Sequence, residues 1–311
     1  MYPKRFYFFA IAFFALLGCE EEFIPEGTNQ EPDLVVEGYI EAGEQALPPY
    51  VILTKSVPFF REFNADDLAN TFVHDATITV SDGEKQVQLT ELCLDELSAE
   101  QKALAAVLFG FDPDSVGFNF CIYLDLTFSM VGEVGKSYTL QVEAAGKTLH
   151  AVTTIPRHVP LDSIRFEEPP GEPNDTLAQL ICYYRDPGFE ANFYRYQVGI
   201  NQGGLQSPLS SVTDDRFFDG QAILFPLAKP ESATEDIDFE TFGLYTVGDT
   251  IALKWCNLDE AHFNFWNTLE FNTANQGPFS SYTLIESNIQ GGLGIWGGLS
   301  ASYYEMVVNK Q

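Results

Sequence analysis

The cysteine at position 19 is the residue whose chemistry the sequence defines most closely. Lys4 and Arg5 precede an apolar run over Phe6–Leu17, and Gly18-Cys19 follows directly. A run of twelve residues suits the apolar core of an export signal and is too short to cross a hydrocarbon layer of about 30 Å. The pattern predicts a signal peptide over residues 1–18, followed by a nucleophilic thiol.

The segment Leu16-Leu17-Gly18-Cys19 resembles the lipobox of bacterial lipoproteins. The resemblance implies that a diacylglyceryl group alkylates the Cys19 thiol and that the chain is cut just before it. Each buried methylene contributes about 0.8 kcal/mol, so several palmitate-type chains would make the membrane attachment stable. The alternative is an ordinary secretory signal in which Cys19 is a bystander.

Three acidic residues, Glu20, Glu21 and Glu22, follow the cysteine. They resemble the acidic export signal that sends some lipoproteins to the outer leaflet of the outer membrane. That resemblance implies a surface-exposed, lipid-anchored protein. The alternative is that these residues only begin a solvated linker.

Composition and charge restrict the partners of the chain. The 311 residues carry a formal net charge of −29, and removing Lys4 and Arg5 with the signal changes it to 14 − 45 = −31. Such a surface repels nucleic acid, and no basic stripe offsets the repulsion. Hydrophobic content of 45% excludes global disorder. We therefore expect a folded protein with no nucleic-acid partner.

Four cysteines follow Cys19, and three disulfide connectivities are open to them. Cys93 and Cys121 flank one insertion in the same half of the chain, so they are the preferred pair. Closing their loop of about 29 residues would stabilise the fold by about 3–4 kcal/mol. Cys182 and Cys256 lie in strand-like segments and suit either a second disulfide or two buried thiols. No two Cys or His residues have zinc-ligand spacing, so the sequence predicts no metal and no cofactor.

Residues 19–32 lack periodicity and combine proline, glycine and acidic residues, which predicts a flexible acidic tether. Beyond it, short alternating segments separated by turn residues are typical of an all-β chain. The clearest is a hairpin over Ser137–Ile155, turned by Ala145-Gly146. Further strands are predicted over residues 34–40, 50–57, 76–80, 87–92, 163–166, 177–184, 193–200, 222–227, 250–256 and 282–285, with a last strand through Val308.

Two helices interrupt the strands. Residues 98–101 (Ser-Ala-Glu-Gln) have capping-box spacing ahead of an apolar stripe, which predicts a helix inside an insertion over about 93–121. A second helix is predicted over about 258–269, opening at Asn257 or Asp259.

Two prolines in Ile155-Pro156-Arg157-His158-Val159-Pro160 break the strand pattern and indicate a domain boundary. The sequence therefore predicts two antiparallel β-sandwich domains. Residues 33–156 form an immunoglobulin-like sandwich with the helical insertion. Residues 161–311 form a larger sandwich or barrel with one helix.

One glycine-rich segment matches a nucleotide-binding string. Gly292-Leu293-Gly294-Ile295-Trp296-Gly297 satisfies G-x-G-x-x-G, but only fourteen residues follow it and they are strand-like. The dinucleotide fingerprint needs a helix after it and an acidic residue about twenty positions on, so no such site fits. We expect a tight glycine turn or bulge with close backbone approach.

Catalytic and metal-binding patterns are weak. The sequence has no G-x-S-x-G and no H-E-x-x-H. We expect His150 on an outer strand face and His262 packed against or beside the core, and we assign no catalytic residue. Acidic loops at residues 112–114, 214–220 and 236–238 offer oxygen ligands for calcium, but none matches the EF-hand pattern, which favours solvated loops.

Aromatic residues are dense in the second half. They cluster over residues 183–196 and recur as Trp255, Trp266 and Trp296. Exposed aromatic residues bind sugars or proteins, but alternation along strands puts many of them inside. We expect core packing for most.

Several segments together resemble the exported lipoproteins of domain of unknown function (DUF) 4249. The matching segments are residues 34–39, 57–60, 134–140, 153–156, 184–187, 192–195, 217–220, 248–250 and 287–297. The resemblance implies a lipid-anchored outer-membrane protein, often a neighbour of TonB-dependent receptors, and it assigns no activity.

The resemblance, together with the weak catalytic patterns, implies a non-enzymatic accessory or ligand-binding partner of a TonB-dependent uptake system. The ligand, whether a small molecule, a glycan or a peptide, is not defined by the sequence. The alternatives are a carbohydrate-active or other hydrolytic surface enzyme, with a carboxylate pair about 5–10 Å apart, and a structural envelope lipoprotein.

Overall fold

The structure, a computed structural model, describes residues 31–57, 65–109, 118–171, 174–231, 238–274 and 284–309, and the all-β prediction is confirmed. The strands are β1 Leu34–Ala42, β2 Tyr50–Lys55, β3 Thr77–Ser81, β4 Gln86–Gln88, β5 Thr90–Cys93, β6 Cys121–Leu124, β7 Ser137–Ala144, β8 Lys147–Thr154, β9 Ser163–Glu167, β10 Leu177–Arg185, β11 Phe193–Ile200, β12 Val212–Asp214, β13 Ala222–Leu227, β14 Tyr245–Thr246, β15 Thr250–Leu258 and β16 Leu293–Val307. The helices are α1 Ala65–Ala69, α2 Ala99–Phe109 and α3 Glu260–Ala274, and Leu94–Glu96 form a 3₁₀ turn.

One long sheet organises the fold. Its order is β12-β11-β15-β16-β1-β2-β6-β5, and every described pairing in it is antiparallel except that of β1 with β16. A second sheet has the order β4-β3-β7-β8. In the third, β10 pairs with β13, β9 and β14.

The two smaller sheets pack on the same face of the long sheet. Alternation along β1 puts Val36 and Ile40 into a first core with the β4-β3-β7-β8 sheet. Alternation along β15 puts Leu253 and Trp255 into a second core with β10. Each fully buried aliphatic side chain contributes about 1.5–3 kcal/mol, so both cores are substantial. The opposite face of the long sheet carries α3.

Two buried tryptophans anchor these cores. The indole N–H of Trp296, in β16, donates to the carbonyl oxygen of Tyr138 at 3.0 Å. The indole N–H of Trp255 donates to the carbonyl oxygen of Val159 at 2.9 Å. Each large apolar ring is thereby buried without an unsatisfied donor.

The predicted hairpin is confirmed as β7 and β8. Ala144 faces Lys147 in the ladder, and the two turn residues, Ala145 and Gly146, have φ of 50° and 74°. Left-handed φ at both positions is the type I′ geometry that suits the twist of the strands. His150 lies on the exposed face of β8, as expected.

Both predicted helices form, with the predicted caps. The Ser98 backbone N–H donates to Gln101 Oε1 at 2.9 Å, and the Gln101 N–H donates to Ser98 Oγ at 3.3 Å, which is the reciprocal capping box. Asp259 caps α3 by accepting from the His262 N–H at 2.8 Å.

Within the described residues, no helix has the length and apolar composition needed to cross a membrane.

The glycine-rich segment lies mostly inside β16 rather than in a turn. Gly294 has φ of 105°, and a Cβ there would overlap the Val36 carbonyl oxygen. Only glycine therefore lets β16 approach β1 this closely, which confirms the expected backbone contact.

The strand predicted over 282–285 is wrong in its described part, since residues 284–285 are irregular.

The two segments separated at 156–160 share the long sheet. The first core is built from residues 34–155 with Ile289 and Trp296, and the second from residues 159–308. The proline-rich link therefore separates two cores. Because β16 pairs with both β1 and β15, the division into two domains that fold independently stays a prediction.

Candidate functional site

A groove of about 400 Å³ opens on the α3 face of the long sheet. We call it the sheet groove. Its lining residues are Glu37, Tyr39, Glu41, Tyr50, Ile52, Phe118, Phe120, Ile122, Arg195, Gln197, Lys254, Trp266 and Leu299. Pockets for small molecules occupy about 300–1,000 Å³ and combine apolar walls with a few polar groups, as this one does.

A buried ion pair lies at the floor of the sheet groove. Lys254 Nζ of β15 is 2.6 Å from Glu41 Oε2 of β1, and the Tyr303 O–H donates to Glu41 Oε1 at 2.7 Å. Burial opposes the charged form of Lys254, but the Glu41 carboxylate outweighs it and the pKa of the lysine is raised. Both oxygens of Glu41 are therefore engaged by protein donors.

Arg195 of β11 is the second cation of the sheet groove. Its guanidinium carbon lies 3.5 Å from the centroid of the Trp266 ring of α3, a close cation–π contact. Its Nε donates to Ser211 Oγ at 3.1 Å and its Nη2 to Ser207 Oγ at 2.9 Å. Ser211 in turn donates through its N–H to Glu270 at 2.9 Å. The arginine is thus held in one orientation.

The far wall of the sheet groove is aromatic and belongs to the disulfide-closed insertion. Cys93 and Cys121 face each other in the β5–β6 ladder and form the predicted disulfide. Their sulfurs pack in a small cluster with Phe72, against which Phe118 and Phe120 lie at 6.1 and 5.5 Å between ring centroids. The disulfide thereby connects the insertion to the groove wall.

His262, at the start of α3, packs against Tyr39 of the groove lining. His262 is fully buried, with its ring 5.3 Å from that of Tyr39, as predicted for a packing residue. Burial, followed by the positive charge of Arg195, lowers the pKa of His262 to about 3, so the ring is neutral at pH 7. Burial, followed by the Glu37 carboxylate, raises the pKa of Tyr39, whose O–H donates to Glu37 at 3.0 Å.

The acidic loops of the sequence analysis are only partly brought together. Carboxylate oxygens of Asp186, Asp215 and Asp219 lie within 4.8 Å of one another. Protein donors already engage them: Asn192 N–H reaches Asp215 at 2.7 Å and Phe189 N–H reaches Asp219 at 3.1 Å. Calcium binding by these loops stays a prediction.

The remaining acidic positions are not part of that group. Asp214 pairs with Arg216 at 2.7 Å, and Asp238 accepts from the backbone N–H of Glu240 at 3.0 Å. Asp112, Asp114 and Asp236 lie outside the described residues.

The other cysteine and export predictions have mixed outcomes. Cys19, Glu20, Glu21 and Glu22 lie outside the described residues.

Cys182 and Cys256 are buried free thiols, so they do not form the second disulfide that was the alternative. Burial raises the pKa of Cys182 to about 12 and that of Cys256 to about 11, so neither is a thiolate at pH 7.

A mixed group surrounds the disulfide. His74 and Glu91 lie with Cys93 and Cys121 so that one ligand atom of each is within 4.8 Å of the others. Both sulfurs are consumed by the disulfide, and metal binding needs thiolates. The group therefore has no thiolate to offer in this state.

The sequence analysis did not find the sheet groove. Its four charged lining residues come from three strands: Glu37 and Glu41 from β1, Arg195 from β11 and Lys254 from β15. A charge between buried neighbours needs a partner across the sheet, so charges within largely apolar strands are the sequence signal that would have indicated the groove. Trp266 packs against the hydrophobic cluster around Phe263, in line with the expectation for most aromatic residues, and it also lines the groove.

Comparison with known proteins identifies one family. The family model described as domain of unknown function (DUF4249) matches residues 20–305, nearly the whole chain. No curated protein and no solved structure matches.

Proposed function

The chain belongs to the DUF4249 family, and we propose that it is a lipid-anchored outer-membrane protein whose sheet groove binds a small ligand. It acts as an accessory of a TonB-dependent uptake system on the cell surface. Cys19 carries the lipid, and Glu20, Glu21 and Glu22 direct the protein to the outer leaflet.

The observation that carries the binding role is the sheet groove itself. A protein with a purely structural role has no need of a groove that combines an oriented arginine, Arg195, with aromatic walls from Trp266 and Phe120. Cations over aromatic rings and apolar walls are typical of ligand sites. The disulfide, which closes the insertion that contributes one wall, agrees with an exported protein.

The chemistry of the groove supports binding over hydrolysis. A glycosidase needs two carboxyl groups within about 5–10 Å, one of which presents its proton to the leaving group. Both oxygens of Glu41 are taken by Lys254 and Tyr303. The other described lining carboxylate, Glu37, is four residues away on β1, about 13 Å along the strand. A histidine base must reach its substrate, whereas His262 is buried and neutral at pH 7.

Metabolic labelling with a palmitate analogue tests the anchor. The full chain, expressed in a Gram-negative host, should label at Cys19, and Cys19→Ser should abolish labelling. Cys256→Ala is the matched control and should label like the natural chain, because it keeps Cys19 and removes only a buried free cysteine. Labelling that survives in Cys19→Ser would overturn the lipid anchor.

Surface display and the receptor partner need separate measurements. Protease added to intact cells should degrade the protein, and replacing residues 20–22 by alanine should protect it. After crosslinking and detergent extraction, a TonB-dependent receptor should co-purify with the lipidated chain more than with Cys19→Ser. Equal recovery from both, or none from either, would contradict the accessory role.

A further inference from the structure

The sheet groove holds one cation, Arg195, that no carboxylate of the described residues contacts directly; Ser211 lies between it and Glu270. Arg195 is 8% exposed, and it has no ion pair within the described part of the chain. A guanidinium has five N–H donors. Two of them bond to Ser211 and Ser207, which leaves three with no bond to a described residue. A buried charge with unused donors is costly unless a bound anion completes it.

A second donor beside Arg195 is also unsatisfied. The indole Nε1 of Trp266 is buried and has no hydrogen-bond partner among the described residues. Its ring lies against the guanidinium, so both donors belong to the same end of the sheet groove. Buried donors in native proteins are nearly always paired. This end of the sheet groove therefore has two residues whose donors the described protein does not fully satisfy.

The charges around the groove favour a ligand with one negative charge over a ligand with two. Lys254 is already neutralised by Glu41 at 2.6 Å, so Arg195 is the one available cation among the described lining residues. Glu37 also lines the groove and has no described ion pair. Arg195 can balance one negative charge, and Glu37 would repel a dianion such as a phosphate monoester about twice as strongly as a monoanion. A planar carboxylate matches the two-pronged edge of a guanidinium.

The wall opposite Arg195 requires an apolar body. Tyr50, Ile52, Phe118 and Phe120 line that side of the groove. We infer that the sheet groove binds a small monocarboxylate with an aromatic or branched apolar body, whose carboxylate is held by Arg195. This inference rests on the proposed binding role and names the class of ligand.

Calorimetry with three matched probes tests the inference on the full lipidated chain in detergent. The probes are N-acetyl-L-phenylalanine, its amide and phenyl phosphate. The acid should bind at least about ten times more tightly than the amide, because only the acid makes a charge-assisted pair of hydrogen bonds with Arg195. Phenyl phosphate should bind more weakly than the acid.

Variants of Arg195 separate recognition from structure. Arg195→Gln should weaken binding of the acid by about tenfold or more and weaken binding of the amide clearly less, because the amide carries no charge for Arg195 to balance. Arg195→Lys keeps the positive charge but loses the planar guanidinium. Its affinity for the acid should therefore lie between that of the natural chain and that of Arg195→Gln. Arg165→Gln, which removes an exposed arginine paired with Glu167 on β9, is the matched control and should bind like the natural chain. Thermal unfolding of each variant checks that the fold is intact.

The outcomes distinguish this inference from the proposed function. Equal affinity for acid and amide, tighter binding of phenyl phosphate, or equal weakening of acid and amide by Arg195→Gln would each overturn the carboxylate assignment while leaving a ligand groove. No binding of any probe in the millimolar range would overturn both.

Discussion

Replacing His262 by leucine should remove a destabilising contribution that the fold carries at acid pH. The ring is fully buried at the start of α3, where burial and then Arg195 lower its pKa to about 3. In the unfolded chain a histidine has a pKa of about 6.5. The two states therefore differ in bound protons across the whole range between these values.

The sign follows from that difference. Below about pH 6.5 the unfolded chain takes up a proton at His262 that the folded chain does not bind, so stability falls as the pH falls toward the folded pKa. Between about pH 7 and pH 5 the loss is about 2 kcal/mol, roughly 25-fold in the unfolding equilibrium constant. In His262→Leu this contribution is absent.

Other charged groups near His262 do not obscure the effect. Lys254 acts in the same direction as Arg195 on the ring. Burial raises the pKa of Asp259, which caps the same helix, so the folded state binds its proton more readily and gains relative stability as the pH falls. Because the natural chain and the variant share these groups, the difference between their stability curves isolates His262.

Urea unfolding at several pH values, followed by tryptophan fluorescence, measures that difference. The free-energy gap between His262→Leu and the natural chain should shift by about 2 kcal/mol in favour of the variant between about pH 7 and pH 5. His150→Leu on the exposed face of β8 is the control for losing a histidine elsewhere. Parallel curves for His262→Leu and the natural chain would refute the reasoning.

Three further perturbations test the elements around the groove. Reducing the bond between Cys93 and Cys121 should lower the free energy of unfolding by about 3–4 kcal/mol, because the loop between them regains conformational entropy in the unfolded state. Urea unfolding with and without a thiol reductant measures the loss. Gly294→Ala should cost more than about 3 kcal/mol in thermal unfolding, since its Cβ would overlap a carbonyl oxygen of β1. Lys254→Met should cost about 3–5 kcal/mol in urea, because it leaves Glu41 charged and buried, and adding Glu41→Gln should restore most of the loss.

Each of these has its own contrary result. A urea midpoint unaffected by reductant would contradict the loop argument. Gly146→Ala, at a left-handed turn position with open space around it, is the control for Gly294→Ala, and equal losses would contradict the close approach of β16. A double variant no more stable than Lys254→Met alone would contradict the buried-charge argument.

Local signals were sufficient for much of the fold. The β7–β8 hairpin follows from period-two alternation and a two-residue turn, and the α2 cap follows from the Ser98–Gln101 spacing. Both depend on interactions between residues close in the chain, so the residues carry the information themselves. The pairing of Cys93 with Cys121 was predicted in the same way, from cysteines that flank a single insertion.

Other features could be read from the sequence only in part. The spacing of the glycines around Gly294 indicates that two backbones meet, but it does not say which strand supplies the other one. Likewise, Trp255, Trp266 and Trp296 look alike in sequence, yet two are core residues and Trp266 lines the groove. Which face of an element is buried depends on what the rest of the chain packs against it.

The sequence by itself determines the all-β class, the positions of most strands, and the segment around Cys19 from which the anchor is proposed. Only the tertiary structure decides the site. Glu41 meets Lys254 across 213 positions and Tyr303 across 262, because β16 pairs with β1 on one side and β15 on the other. That pairing depends on the burial of two hydrophobic cores on one face of a shared sheet. The burial involves residues from the whole chain, so the spacing of residues within a single segment does not predict it.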